Sequence, residues 1–537
     1  MSLAIPLSLL LAAPLNGVTV FAGDQPEPFT VEVLDTLPHA LGPRVPLILV
    51  RLRGQKIEHT GVIAGMSGSP VYQDGRLIGA VGYRMGSFSK EPIAGITPID
   101  HMRQVFTGQV RAGKASHNLQ SVQVPVVIAG LDASVSKPLL DELSQATATP
   151  LRAVAGGGSS SGPAPDKLVN GGALAVVMAK GDINMFALGT VTEVDEKSFL
   201  GFGHPMFGWG ALAIPVGTAV VSTTIASPAN AFKVGRLGKL VGTMTQDRLP
   251  AIGGTIGTPA PMIPVTIDVG EAKPFKVDLA IHRRLTPSLL RSVAHQAALR
   301  RTDFDAGGTV GLTGTLETSH GTVKINEWVA HPHHPGTGGA VAEPLRWISA
   351  MLLDNPLGSV TLKSAKLKLH RLPTTHVEAL RTVEILNPNP QPGQPLDLRL
   401  RWRRYQDTDR HQDVSLPLSK DLDAGPAQLV VAGGGSIDSL ERHCGDGAPP
   451  RSQNELVPWL NDRADPRARA LFVVRAIPTQ SFGSQRMMRS AWDERLPRID
   501  LDSEPGGCLI VARHDLAPAA GPVVADQVLS FSLQGAR

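Results

Sequence analysis

Cysteine is nearly absent from this chain: there are two in 537 residues, Cys444 and Cys508, both toward the C-terminal end. That excludes a fold stapled by many disulfides and a cysteine-rich zinc module, and leaves one bridge in an oxidising compartment or two buried thiols. Long apolar runs are missing as well, so no internal segment reads as a membrane-spanning helix. A strong charge of either sign is also lacking. The net charge of +4 is too mild on a chain of this size to argue for nucleic acid as a partner. Hydrophobic residues make up 42% against 18% charged, which excludes a disordered chain. What the sequence does have is glycine and proline, 56 and 44 residues. With that apolar content they point to many short strands joined by turns, a mainly β chain long enough for several domains.

The chain is organised around Gly65-Met66-Ser67-Gly68-Ser69-Pro70 and the hairpin that follows. Glycines on both sides of Ser67 let the backbone take tight, φ-positive turns that aim N–H groups at one point, the way an oxyanion hole is built. The pattern predicts Ser67 as a nucleophile, the Gly65 and Ser67 N–H groups as the oxyanion donors, and Ser69 as a structural hydroxyl. Asp74-Gly75 favours a type I′ turn, so 70–73 should pair with 76–83. Two ordinary serines in a glycine-rich turn are the plainer alternative. A nucleophilic serine needs a base, and of the 16 histidines the best placed is His204. It stands in the glycine-rich turn of Phe199-Leu200-Gly201-Phe202-Gly203-His204-Pro205, after the strand pattern Phe186 to Thr192.

Together the two strings resemble the SpoIVB-type serine peptidase family, whose members carry a Gly-His motif after a Gly-Thr-hydrophobic-Thr strand and a nucleophilic serine in GMSGSP. Here these fall on His204, after Gly189-Thr190-Val191-Thr192, and on Ser67, with the likeness running over roughly 15 to 260. The resemblance implies a chymotrypsin-like double β-barrel in which Ser67 attacks and His204 is the base. The chain order is reversed, as in a permuted domain, because the family's His precedes its Ser; triads occur in several orders. The family's acid falls on Leu52. Asp247, Asp35 and Glu58 are the acids left to orient the imidazole, with Asp247 chosen because its turn-rich surroundings could fold back onto Gly203-His204.

Along the chain, residues 1–14 contain a short apolar stretch of the length of a signal-peptide core. The peptidase-like domain is expected over 15–270, with a flexible connection near 156–165. An α+β segment follows over 271–365, then a β-sandwich-like domain over 366–435 and an α/β or β region over 436–537. Helices are expected from Thr286-Pro287 and from Glu343-Pro344 to Asn355-Pro356. His331-Pro332-His333-His334-Pro335 has no residue to complete a ligand set, so no metal is expected. In Leu396 to Arg403 apolar residues alternate with Asp397, Arg399, Arg401 and Arg403, which reads as a solvated sheet face and less readily as a site for an anionic polymer.

Following the resemblance, the function expected is that of a serine endopeptidase acting on protein or peptide substrates outside the cell, in the periplasm or in the cell envelope, without a cofactor. The alternative is a non-catalytic envelope scaffold or peptide-binding protein on the same fold.

Overall fold

In a computed structural model of the chain, Asp74 and Gly75 both take positive φ, 48° and 79°, the geometry of a two-residue turn whose twist matches that of its strands. The structure describes residues 15–534 apart from 43–44, 87–89, 109–118, 148, 157–161, 228, 301–307, 332–336, 445–449 and 477–507. The stretch expected as a signal segment, and residues 157–161 of the connection near 156–165, lie outside the described residues.

The turn joins β4 (Pro70–Gln73) to β5 (Arg76–Met85), which belong with β1 (Leu15–Thr19), β2 (Glu27–Leu37), β3 (Leu47–Arg53) and β6 (Ile93–Pro98). These pair antiparallel in the order β4-β1-β2-β3-β6-β5, and β4 pairs back onto β5, so the sheet closes into a six-stranded barrel. Alternation fills it: Phe29 and Val31 from β2, Ile48, Val50 and Leu52 from β3, and Ile78 and Val81 from β5 share one core. Met66 of the serine turn belongs to that core and is fully buried, so the turn is anchored by its own side chain.

After β7 (Leu119–Ser121), β8 (Val124–Ala129) and β9 (Leu151–Ala155) comes a second ring. It is made of β10 (Ala173–Gly181), β11 (Asn184–Val194), β12 (Ser198–Gly201), β13 (Gly210–Ile225), β14 (Phe232–Arg248) and β15 (Ala251–Ile256). The antiparallel order β10-β13-β14-β15-β12-β11 closes where β11 pairs β10. Ala175, Val177, Phe186, Leu188, Ala219 and Val221 fill it. Two such barrels in succession are the double-barrel architecture expected from the sequence. The helix Ala133–Ala146 is capped by Asp132, and its Glu142 bonds Ser288 and Arg291 of the helix Thr286–Leu299.

The chain divides into two compact units, residues 1–266 with 275–296 and residues 267–274 with 297–537. In the second, Gly308–Thr318, Gly321–His331 and Leu362–Leu372 form an antiparallel sheet beside the helix Thr337–Leu353. That helix starts earlier than expected and carries Pro344 inside. Val341, Ala342, Leu345 and Ile348 are buried along it, and burying that apolar face outweighs the one donor proline removes. The rest is a β-sandwich. Leu396, Leu398, Leu400 and Trp402 of one four-stranded sheet share a core with Leu429, Val431, Leu471 and Val473 of another, so its two sheets straddle the boundary expected at 435. On the outer face Arg399 pairs with Asp413, and Arg401 and Arg403 with Asp409, so the basic stripe is matched by carboxylates. Cys444 and Cys508 are bridged, with Cα atoms 4.5 Å apart.

Candidate active site

The turn from Ala64 to Pro70 is pinned from several sides. Met66 N–H donates to Ile63 O, Gly68 N–H to Val81 O and Ser69 N–H to Met66 O. Ser69 Oγ donates to Met66 O as well, at 2.6 Å, which makes it a structural hydroxyl. Gly65 and Gly68 both have φ of 94°. At Gly68 a Cβ would stand 2.1 Å from Thr190 O and 2.4 Å from Phe202 N, so only glycine fits.

Among the described residues the N–H groups of Gly65 and Ser67 donate to nothing in the protein. Their directions are nevertheless fixed, because in a planar trans peptide the N–H points opposite the carbonyl of the preceding residue. Ala64 O accepts from Lys233 N–H at 3.1 Å, and Met66 O accepts from both groups of Ser69. Ser67 itself is 0% exposed, and its Oγ has no partner.

His204 sits on the second barrel, just after β12, in a turn where Phe202 and Gly203 take φ of 68° and 66°. Gly203 O accepts from Thr97 Oγ1 at 2.6 Å, tying this turn to the end of β6. The ring nitrogen Nδ1 lies 2.7 Å from Pro205 O. A carbonyl only accepts, so Nδ1 carries the proton and Nε2 is left with its lone pair. Thr149 Oγ1, 3.4 Å from Nδ1, donates to the same carbonyl. Nε2 is buried and has no partner. Burial pushes the imidazole down to about 4, against the pull of the Pro205 hydrogen bond, so the ring is neutral at pH 7.

Both turns are bonded to β11, whose Thr190 O accepts from Phe202 N–H of the histidine turn at 3.4 Å. Thr190 N–H donates to Ser67 O at 2.9 Å, Thr190 Oγ1 to Gly65 O at 3.0 Å and Thr192 Oγ1 to Gly68 O at 2.7 Å. No hydrogen bond joins Ser67 Oγ to His204 Nε2.

Asp247 is fully buried and lies in strand β14 rather than in a turn. Its carboxylate accepts from the N–H groups of Met206 (2.9 Å), Phe207 (2.7 Å) and Gly208 (2.9 Å), the segment directly after His204. Burial pushes it up to about 6, opposed by those backbone bonds. It folds back as expected, but onto the backbone beyond the histidine; the bonds at Nδ1 are to Pro205 and Thr149. Asp35 and Glu58 are exposed and bond the backbone N–H groups of Thr36 and Gly54, and Leu52 is a core residue.

Thr149, the Pro205 carbonyl and Lys233 were not singled out in the sequence. Nothing in the sequence sets Lys233 apart, since its strand also carries Arg236, Lys239, Asp247 and Arg248. Of the histidine cluster, His333 and His334 lie outside the described residues, and among the described residues no three His, Cys, Asp or Glu side chains could hold a metal.

Comparison with known proteins adds one finding. No curated protein and no solved structure matches the chain. Residues 12–98 do match a family model, short of the 15–260 over which the likeness was read and ending before His204. The family is SpoIVB peptidase S55, and the matched stretch takes in the barrel and the turn that carry Ser67.

Proposed function

We propose that the chain is a serine endopeptidase acting on protein substrates in the cell envelope or outside the cell. Ser67 Oγ attacks the scissile carbonyl carbon as His204 Nε2 takes its proton. The carbonyl oxygen becomes an oxyanion received by the Gly65 and Ser67 N–H groups. The imidazolium then gives its proton to the leaving amine. Water, deprotonated by the same nitrogen, hydrolyses the acyl-enzyme and frees the serine. No cofactor enters any step. A single observation carries this reading: Ser67 Oγ, His204 Nε2 and two backbone N–H groups are left without partners on two turns that are bonded to the same strand, β11. The Cys444–Cys508 bridge supports an oxidising compartment.

One observation favours a second reading, a non-catalytic scaffold or peptide-binding relative: Ser67 and His204 are each 0% exposed, so a peptide reaches them only after a movement. A fluorophosphonate probe separates the two, since it reports an activated serine without knowledge of the substrate. Labelling mapped to Ser67 and lost in Ser67→Ala supports the peptidase; an intact, folded protein that never labels supports the scaffold.

A further inference from the structure

Lys233 is a fully buried lysine on β14. Its ammonium donates to Thr19 Oγ1 of β1 at 2.8 Å and reaches Thr190 Oγ1 of β11 at 3.5 Å. Among the described residues no carboxylate pairs with it, and burial alone pushes it down to about 7. An unpaired cation in a core is costly, and a methionine of similar length would fill the same space without that cost. What the charge is next to gives it a use. The lysine stem runs beneath Gly65, its Cδ 3.4 Å from where a Cβ on that glycine would stand. Its own N–H holds Ala64 O, and the Thr190 hydroxyl that the ammonium touches donates to Gly65 O.

We propose that Lys233 is a positioning residue of the serine turn, its buried ammonium acting through Thr190 to hold the Gly65 carbonyl, and with it the pair of N–H groups that face the reacting carbonyl. The chemistry sets the direction. While the amine is an ammonium it can only donate, so the Thr190 oxygen accepts from it and the Thr190 proton stays on Gly65 O. Once deprotonated, the amine can accept that proton instead, and Gly65 O is released. The side chains that the ammonium bonds, Thr19 and Thr190, are uncharged, and burial rather than a neighbouring charge is what shifts it. The site should therefore be best ordered below about pH 7 and loosen above it. Stability runs the other way. The group binds its proton less tightly folded than unfolded, so its destabilising effect is full below pH 7 and fades as pH rises toward the ordinary 10.5.

This inference rests on the peptidase reading for its purpose but is tested without it. Hydrogen exchange of the segment 63–70 is measured by mass spectrometry in the wild type, Lys233→Met and Thr190→Val, with thermal melting alongside. Each variant should lose about tenfold in protection of the Met66, Gly68 and Ser69 amides, the effect of one broken buried hydrogen bond. Lys233→Met should nevertheless melt higher than wild type at pH 6, the gap closing by pH 10, an opposite pairing of effects that a merely structural lysine would not give. Wild-type protection, corrected for the chemical exchange rate, should step down between pH 6 and 9, and the step should vanish in Lys233→Met. Protection and pH step unchanged in both variants would overturn the proposal, as would a Lys233→Met protein that melts lower. Should the wild type never label with the fluorophosphonate while these exchange results hold, the positioning role stands and the peptidase reading falls.

Discussion

The two barrels contribute to the candidate site in different ways. In the first, a short local string makes the whole half-site: glycines at 65 and 68, Met66 in the core and Ser69 on the Met66 carbonyl fix Ser67 and the direction of its N–H. In the second, nothing within the His204 turn suffices. Its ring is set by Pro205 and Thr149, its following segment by Asp247 from a strand 40 residues on, and the turn itself by Thr97 of the other barrel. A half-site made by neighbours in sequence tolerates little change at any one of its residues; one made by distant contacts spreads its support and should fail by degrees.

The largest effect expected lies in the first half. Ser67→Ala should abolish fluorophosphonate labelling, while Ser69→Ala, which removes one of two bonds to Met66 O, should lower its rate by about tenfold. Labelling that survives in Ser67→Ala and maps to Ser69 would reverse the assignment. Next comes Gly68→Ala, whose methyl would overlap Thr190 O at an already positive φ; a loss of about 3 kcal/mol or more in denaturant unfolding is expected. A wild-type melting curve there would show that the turn is not rigid.

In the second half, Asp247→Asn keeps the shape but loses the charge that three N–H groups share. A loss of about 2 kcal/mol in stability and a partial fall in labelling, smaller than that of His204→Gln, is the outcome that fits distributed support. A fall as complete as that of Ser67→Ala would instead make Asp247 part of the reacting set. The smallest effects are in the acid limb. Because burial keeps His204 neutral down to about pH 4, labelling should persist at pH 5, where an ordinary histidine would already be protonated. In the folded state His204 binds its proton less tightly than when unfolded, which makes stability rise from pH 4 to 6.5. Asp247 binds its proton more tightly, which makes stability fall from pH 3.8 to 6. The two nearly cancel in the wild type, so His204→Gln should unmask the fall in a pH series of melts.

The contrast also accounts for what could be read in advance. Ser67, the hairpin of 70–73 with 76–83 and the two oxyanion candidates are written in adjacent residues, where glycine and the Asp74-Gly75 turn leave few options. His204 was chosen for its glycine-rich turn after a strand pattern, a weak local signal that needed the family resemblance to strengthen it. Asp247 was chosen for a turn it does not occupy, and its real contacts, backbone amides 39 to 41 residues away, leave no pattern in sequence. The arginine strand was legible as an alternation, but its Asp409 and Asp413 partners come from the next strand and cancel the charge that an anionic polymer would need. Pro344 misled because a helix start was read from a proline that packing carries inside.

The most direct test of the account is a crystal structure of the protein after reaction with the fluorophosphonate. The phosphorus should be bonded to Ser67 Oγ, the phosphoryl oxygen should lie within hydrogen-bond distance of both Gly65 N and Ser67 N, and His204 Nε2 should face the leaving-group side. An adduct on another residue, or a phosphoryl oxygen turned away from those two amides, would contradict it.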